Sequence, residues 1–148
     1  MAKTKYGKYI ITRPAGEVPA SPWSPAAPRV WVSDRAARVM FLDNEVLKGA
    51  FYVECVWIYK QSEGKGPPAH THDFDEVIAF FGSNQKDPFD LGGEVELWLG
   101  DEKHILTKSC VVFVPKGLKH CPLIFRRVDA PIFHFTTGPS SMYTGEKK

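Results

Sequence analysis

The sequence predicts an all-β domain, either a sandwich or a barrel, and three observations carry the prediction. From Val39 onward the chain is a series of short runs rich in Val, Ile, Phe, Tyr and Trp, each broken by Gly, Pro or Asp. Between these runs there is no amphipathic helical period of the kind a parallel α/β sheet requires. The first thirty residues hold Pro14, Pro19, Pro22, Pro25 and Pro28, and proline neither continues a helix nor donates to a strand ladder. At 148 residues the chain is expected to form one domain, long enough to bury a core without disulfides.

Taken in order, residues 1–37 read as an extended N-terminal arm that wraps a neighbour or its own barrel. Within the arm a short strand is expected at Lys8 to Thr12, and one helical turn at Ser33 to Arg38. Residues 38–138 are expected to form the β domain, and residues 139–148 a C-terminal tail. The expected strands are Arg38 to Leu42, Ala50 to Lys60, Glu76 to Phe81, Glu94 to Leu99, Lys103 to Leu106, Cys110 to Val114, Leu123 to Val128 and Ile132 to Thr136. Leu99-Gly100-Asp101-Glu102-Lys103 reads as a compact hairpin turn. Gly82 to Gly93 is longer and polar, and reads as a long hairpin loop at the mouth of the barrel.

Composition removes several classes of function. The net charge is +2, and Lys and Arg are scattered apart from Arg126-Arg127 and the Lys147-Lys148 end, so no nucleic-acid surface is indicated. No apolar run reaches the length of a membrane span. The opening MAKTKYGKYI lacks the apolar core of a signal peptide, so a cytoplasmic location is expected. Cys55, Cys110 and Cys121 are odd in number and form no C-x-x-C, so neither a disulfide framework nor a zinc ribbon is suggested. Each reads as a small buried hydrophobe, with Cys121 set apart by following a histidine.

The chemistry concentrates in GKGPPAHTHDFDE, residues 64–76. Residues two apart in a strand share a face, so His70 and His72 aim together and can reach one metal. Glu76 lies four residues further on, roughly 13 Å along a straight strand, whereas a carboxylate ligand must come within about 2 Å of the ion. The chain must therefore bend at Asp73-Phe74-Asp75 for Glu76 to join the site. A fourth ligand is expected from another strand. Val111 to Val114 runs into Pro115-Lys116-Gly117, a turn that can reverse the chain and present His120. Three neutral imidazoles and one carboxylate suit one divalent transition metal: Fe, Mn, Ni, Co or Zn.

These residues resemble the two motifs of the cupin superfamily. Gly64, His70, His72, Glu76 and Gly82 follow the first motif, with the last glycine one residue early. Pro115, Gly117 and His120 follow the second, with Ser109 and Ile124 at positions where the family has glycine and asparagine. The resemblance covers about residues 50 to 136. It implies a cupin-type double-stranded β-helix, or jelly-roll barrel, with one metal held inside by His70, His72, Glu76 and His120. It does not choose a reaction, because the fold hosts oxygenases, isomerases, lyases and plain binding proteins.

Two further residues are candidates for proton transfer. His134 stands alone in the apolar run Pro131-Ile132-Phe133-His134-Phe135 and would act if it faces the cavity. Glu54 interrupts an apolar strand. It alternates with Tyr52, Val56 and Ile58, while Val53, Cys55, Trp57 and Tyr59 share the other face. If the first face is interior, Glu54 is a buried carboxylate. The expected function is a metal-dependent enzyme acting on a small molecule, with a non-catalytic ligand- or metal-binding module as the alternative. A structural β-sandwich with incidental histidines is the third reading. Free sheet edges and the proline-rich arm suggest a homodimer.

Overall fold

The computed structural model describes residues 4–12, 30–140 and the backbone of 146–147. Two antiparallel sheets face one another. The first runs in the order β1 (Trp31–Val32), β2 (Ala36–Leu42), β3 (Val53–Ile58), β10 (Ile132–Thr137), β5 (Glu76–Phe81), β8 (Cys110–Val114). The second runs β11 (Glu146–Lys147), β4 (His70–Thr71), β9 (His120–Val128), β6 (Asp90–Leu99), β7 (Glu102–Lys108). This is a jelly-roll barrel, and the eight strands expected from β-branched and aromatic runs are all present. β5 and β8 have the expected limits; the others differ at their ends.

The inner faces close on an apolar core that includes Val56, Ile78, Phe80, Leu97, Phe125 and Ile132. Alternation puts these side chains inside: in β3 Val56 and Ile58 are buried, and in β10 Ile132 and His134. The Gly100-Asp101 turn joins Leu99 to Glu102 as a two-residue hairpin, as expected.

Three local expectations are corrected. Lys8 to Thr12 is not a strand: Gly7–Tyr9 is a 3-10 turn, and no described strand pairs with it. Ser33 to Arg38 is not helical. β1 and β2 pair across it, Trp31 opposite Arg38 and Val32 opposite Ala37. The Ser33 Oγ accepts hydrogen bonds from the amides of Arg35 and Ala36. These are the contacts of a helix cap, used here to close a hairpin.

Residues 82–93 are not a hairpin loop. Residues 82–89 cross from β5 in the first sheet to β6 in the second, and the last four residues belong to β6. The crossover leaves β5 from the end opposite Glu76, at a distance of roughly 17 Å along the strand. It is tied down where the sequence departs from the cupin motifs. The Gly82 amide donates to Ser109 Oγ at 3.0 Å, and that hydroxyl donates to the Pro88 carbonyl at 2.7 Å. Most of the expected arm lies outside the described residues.

Candidate metal centre

Four segments bring the motif residues together. The chain enters β4 through Gly66, whose φ is +70° and where a Cβ would lie 2.2 Å from the Leu123 carbonyl oxygen. Only glycine fits that approach. His70 then pairs directly opposite His120 at the start of β9. His72 follows β4, the backbone bends at Asp73-Phe74, and Glu76 opens β5. The bend needed to bring the carboxylate back is therefore present.

The second motif forms a type II turn. The Leu118 amide donates to the Pro115 carbonyl at 3.0 Å, and Gly117 has φ +82°. Two hydrogen bonds sew this turn to the bend: Gly117 N–H to the His72 carbonyl at 3.0 Å, and Lys116 N–H to Asp75 Oδ1 at 2.8 Å. Asp75 is thus more than a turn former, because it fixes the loop that presents His120 against the loop that presents His72.

His70, His72 and His120 each offer a ring nitrogen within 4.8 Å of the others. Nδ1 of His70 donates to the Pro68 carbonyl at 2.7 Å, and Nδ1 of His120 to the Leu118 carbonyl at 3.0 Å. Carbonyls only accept, so each ring carries its proton on Nδ1 and turns the Nε2 lone pair inward. Glu76 completes the group. Its Oε2 is 3.3 Å from His72 Nε2 and its Oε1 is 3.2 Å from His120 Nε2. Donors on one ion at about 2.1 Å stand about 3–4 Å apart, so these separations suit neighbouring ligands. His120 Nε2 is buried with no hydrogen-bond partner among the described residues, the condition a bound cation would relieve.

Electrostatics keep Glu76 and His70 in the ligating form. Burial alone would raise the Glu76 carboxyl, but His120, His72 and the Tyr52 hydroxyl outweigh it and hold the group at about 2. Burial pushes His70 down to about 4, against its hydrogen bond to Pro68, with His120 and His72 adding to the fall. The fold therefore offers a neutral His70 imidazole and a charged Glu76 carboxylate at neutral pH. Cys121 is buried, and burial followed by the Glu76 charge raises its thiol to about 12, so it is no nucleophile.

Sequence reasoning missed Tyr52 and Phe74. The Tyr52 hydroxyl donates to Glu76 Oε2 at 2.5 Å, and the residue is fully buried. Phe74 stacks on His72 at 4.7 Å and meets Tyr52 edge-on at 5.6 Å. The signal available was alternation. It sets Tyr52 on the same face as Val56 and Ile58, and a buried phenol needs an acceptor.

Glu54 and His134 also lie on the inner side of the first sheet. Val56, on the Glu54 face, pairs with His134, and Glu54 pairs with Thr136. Glu54 is bound to the buried Arg38, Nη1 to Oε2 at 2.9 Å. His134 is 7 % exposed, stacks on Phe80 at 4.8 Å, meets Phe125 edge-on at 5.9 Å and donates from Nδ1 to the Ala79 carbonyl at 3.0 Å. Burial lowers its pKa, against Glu54, Ala79 and Glu76, which raise it. His104 lies on the edge strand β7, its side chain 43 % exposed beside Glu102.

No protein-family model and no curated protein sequence matches the chain. Solved structures do. An oxalate decarboxylase from Lactobacillus farciminis, in complex with formate, is 13 % identical over 80 % of this chain and 32 % of its own, with a TM-score of 0.52. A Klebsiella pneumoniae protein with a double-stranded β-helix domain is 12 % identical over 78 % of this chain and 81 % of its own, with a TM-score of 0.51. The chain has the cupin fold. An oxalate oxidase adds a third likeness, 14 % identical over 78 % of this chain, with a TM-score of 0.50. The chain spans about half the length of that oxidase, 56 %. Among the described residues no helix is long and apolar enough to cross a membrane.

The depressed histidines make an acid limit predictable for the metal-free protein. A folded-state pKa below the unfolded value means the unfolded chain takes up the proton first. The stability contributed by neutral His70 is complete above about pH 6.5 and is lost as pH falls toward about 4. His134 acts in the same direction. Urea midpoints measured after chelation at pH 7.5, 6 and 5 should fall in that order. A midpoint flat across the three would show that the rings are not buried neutral.

Proposed function

We propose that this cupin is a metal-dependent enzyme acting on a small molecule, with one divalent transition metal (Fe, Mn, Ni, Co or Zn) held by His70, His72, Glu76 and His120. The supporting observation is the convergence of three imidazoles and one carboxylate in a buried cluster, with His120 Nε2 buried and without a hydrogen bond among the described residues. A metal so placed supplies Lewis-acid polarisation, or oxygen chemistry if it is iron. The chain's own part is to fix the ligands and hold protons. Nδ1 of His70 and His120 keep theirs on backbone carbonyls, and Tyr52 keeps its proton against Glu76 Oε2. Glu54 and His134 are the groups proposed to move a proton to or from substrate. A small oxygen-rich anion is the proposed substrate class, because open positions on such a metal take oxygen ligands. A cytoplasmic location and a homodimer are proposed with it.

A second reading, a non-catalytic ligand- or metal-binding module, draws on two observations. Glu54 is engaged by Arg38, and His134 is packed against Phe80 and Phe125. Glu54→Gln and His134→Gln variants separate the readings. Turnover of a substrate found by screening falls in one of them if the chain moves protons through these groups.

The first experiment is elemental analysis of freshly purified protein beside a His70→Ala/His120→Ala variant. About one metal per chain, absent from the variant, is expected. No bound metal after reconstitution, or equal metal in both, would sink the reading.

A further inference from the structure

We infer that the outer face of the first sheet is a homodimer interface, covered in solution by the same face of a second copy of this chain. The two sheets of the barrel present opposite surfaces. The second carries charge: Glu96 binds Arg126 at 3.0 Å and lies 3.9 Å from Lys103, and Glu94 meets Arg127 at 3.5 Å. That face carries paired charges. On the first sheet, every outward position of β3, β10, β5 and β8 is apolar except Thr137.

The registers make these positions one continuous layer, in which Ala79 is itself fully buried. Trp57 pairs with Phe133, Phe133 with Phe81, and Ala79, next to Phe135, with Val111. The rings lean on one another, Trp57 to Phe133 at 5.1 Å and Phe81 to Phe135 at 6.1 Å. Yet Val111 and Phe113 are each 58 % exposed and Phe81 is 37 % exposed. A soluble antiparallel sheet ordinarily alternates apolar inside with polar outside. Here the outward positions are apolar as well, the pattern of a sheet whose outer face is also covered.

Charge and area favour a second copy as the cover. A two-fold interface must be self-complementary, with the same patch on both partners. A face with no charge and almost no hydrogen-bonding demand meets its own image without like-charge contact or an orphaned donor. Four strands at about 4.8 Å spacing and three outward rows give a projection of several hundred Å². Ring relief and rim enlarge it toward the roughly 800 Å² per partner of a standard interface. Face-to-face packing at about 10 Å is the ordinary way two sheets stack. This locates the pairing on a sheet face rather than on strand edges or an arm. It does not depend on the metal.

Light scattering and sedimentation of the full chain at tens of micromolar test it. Wild type should weigh twice the 16.6 kDa of one chain. Val111→Glu/Phe113→Glu should weigh one chain while keeping the wild-type far-UV spectrum, since both sites are exposed in the protomer. The milder Val111→Lys serves if the double variant fails to fold. Ile105→Glu, at a 45 % exposed site on the charged sheet, should remain dimeric. A wild-type protein of one-chain mass, or a dimer that survives both face variants, would overturn the inference.

Discussion

Replacing Tyr52 with phenylalanine should weaken metal binding by about ten- to a hundred-fold, the range found when groups that orient metal ligands are removed. The substitution keeps the ring that meets Phe74 and deletes only the hydroxyl that donates to Glu76 Oε2. The carboxylate then loses the bond that fixes its orientation between His72 and His120. The metal-free protein should also be less stable by roughly 1.5–3 kcal/mol, the scale of a hydrogen bond to a charged group. The Glu76 carboxyl, now held down by two imidazoles without the phenol, should protonate at higher pH, so metal release should begin at higher pH. Competition titration with a chromophoric chelator between pH 5 and 8 reads both effects. An affinity and pH midpoint equal to wild type would make Tyr52 a packing residue only.

Why Tyr52 escaped the sequence while Glu76 did not is a matter of range. Glu76 was legible because its partners are close in sequence: two histidines within six residues and a bend forced by length. Tyr52 reaches Glu76 across 24 positions, through the pairing of β3 and β5 on either side of β10. Strand register decides that contact, and register is tertiary. β5 and β8 were legible to the residue because Asp75 and Gly82 bound the first and Ser109 and Pro115 the second. The hairpin at Ser33 was misread for a physical reason. Its side chain makes the two bonds of an N-cap, and only the strand that follows distinguishes hairpin from helix. The crossover at 82–89 was misread because a polar loop between strands carries no mark of which sheet it enters next. Ser109 looked like a defect in a motif, but it is the anchor of that crossover.

Phe80→Ala should be among the most damaging single substitutions in the core, at about 3–5 kcal/mol. Phe80 is fully buried in β5, stacked on His134 and edge-on to Phe125 at 5.9 Å. Removing the ring leaves a void in a close-packed wall and takes away one of the two rings against His134. The consequence for His134 separates stability from chemistry. Burial is the main cause of its lowered pKa, so water admitted to the void should raise the value back toward that of an exposed imidazole. Chemical denaturation measures the loss of stability, and NMR titration of the imidazole measures the second effect. A large loss with an upward shift is expected, and Phe80→Leu, which refills much of the void, should reverse most of both. A loss below about 1 kcal/mol would mean that the wall repacks and that Phe80 does not hold the ring in place.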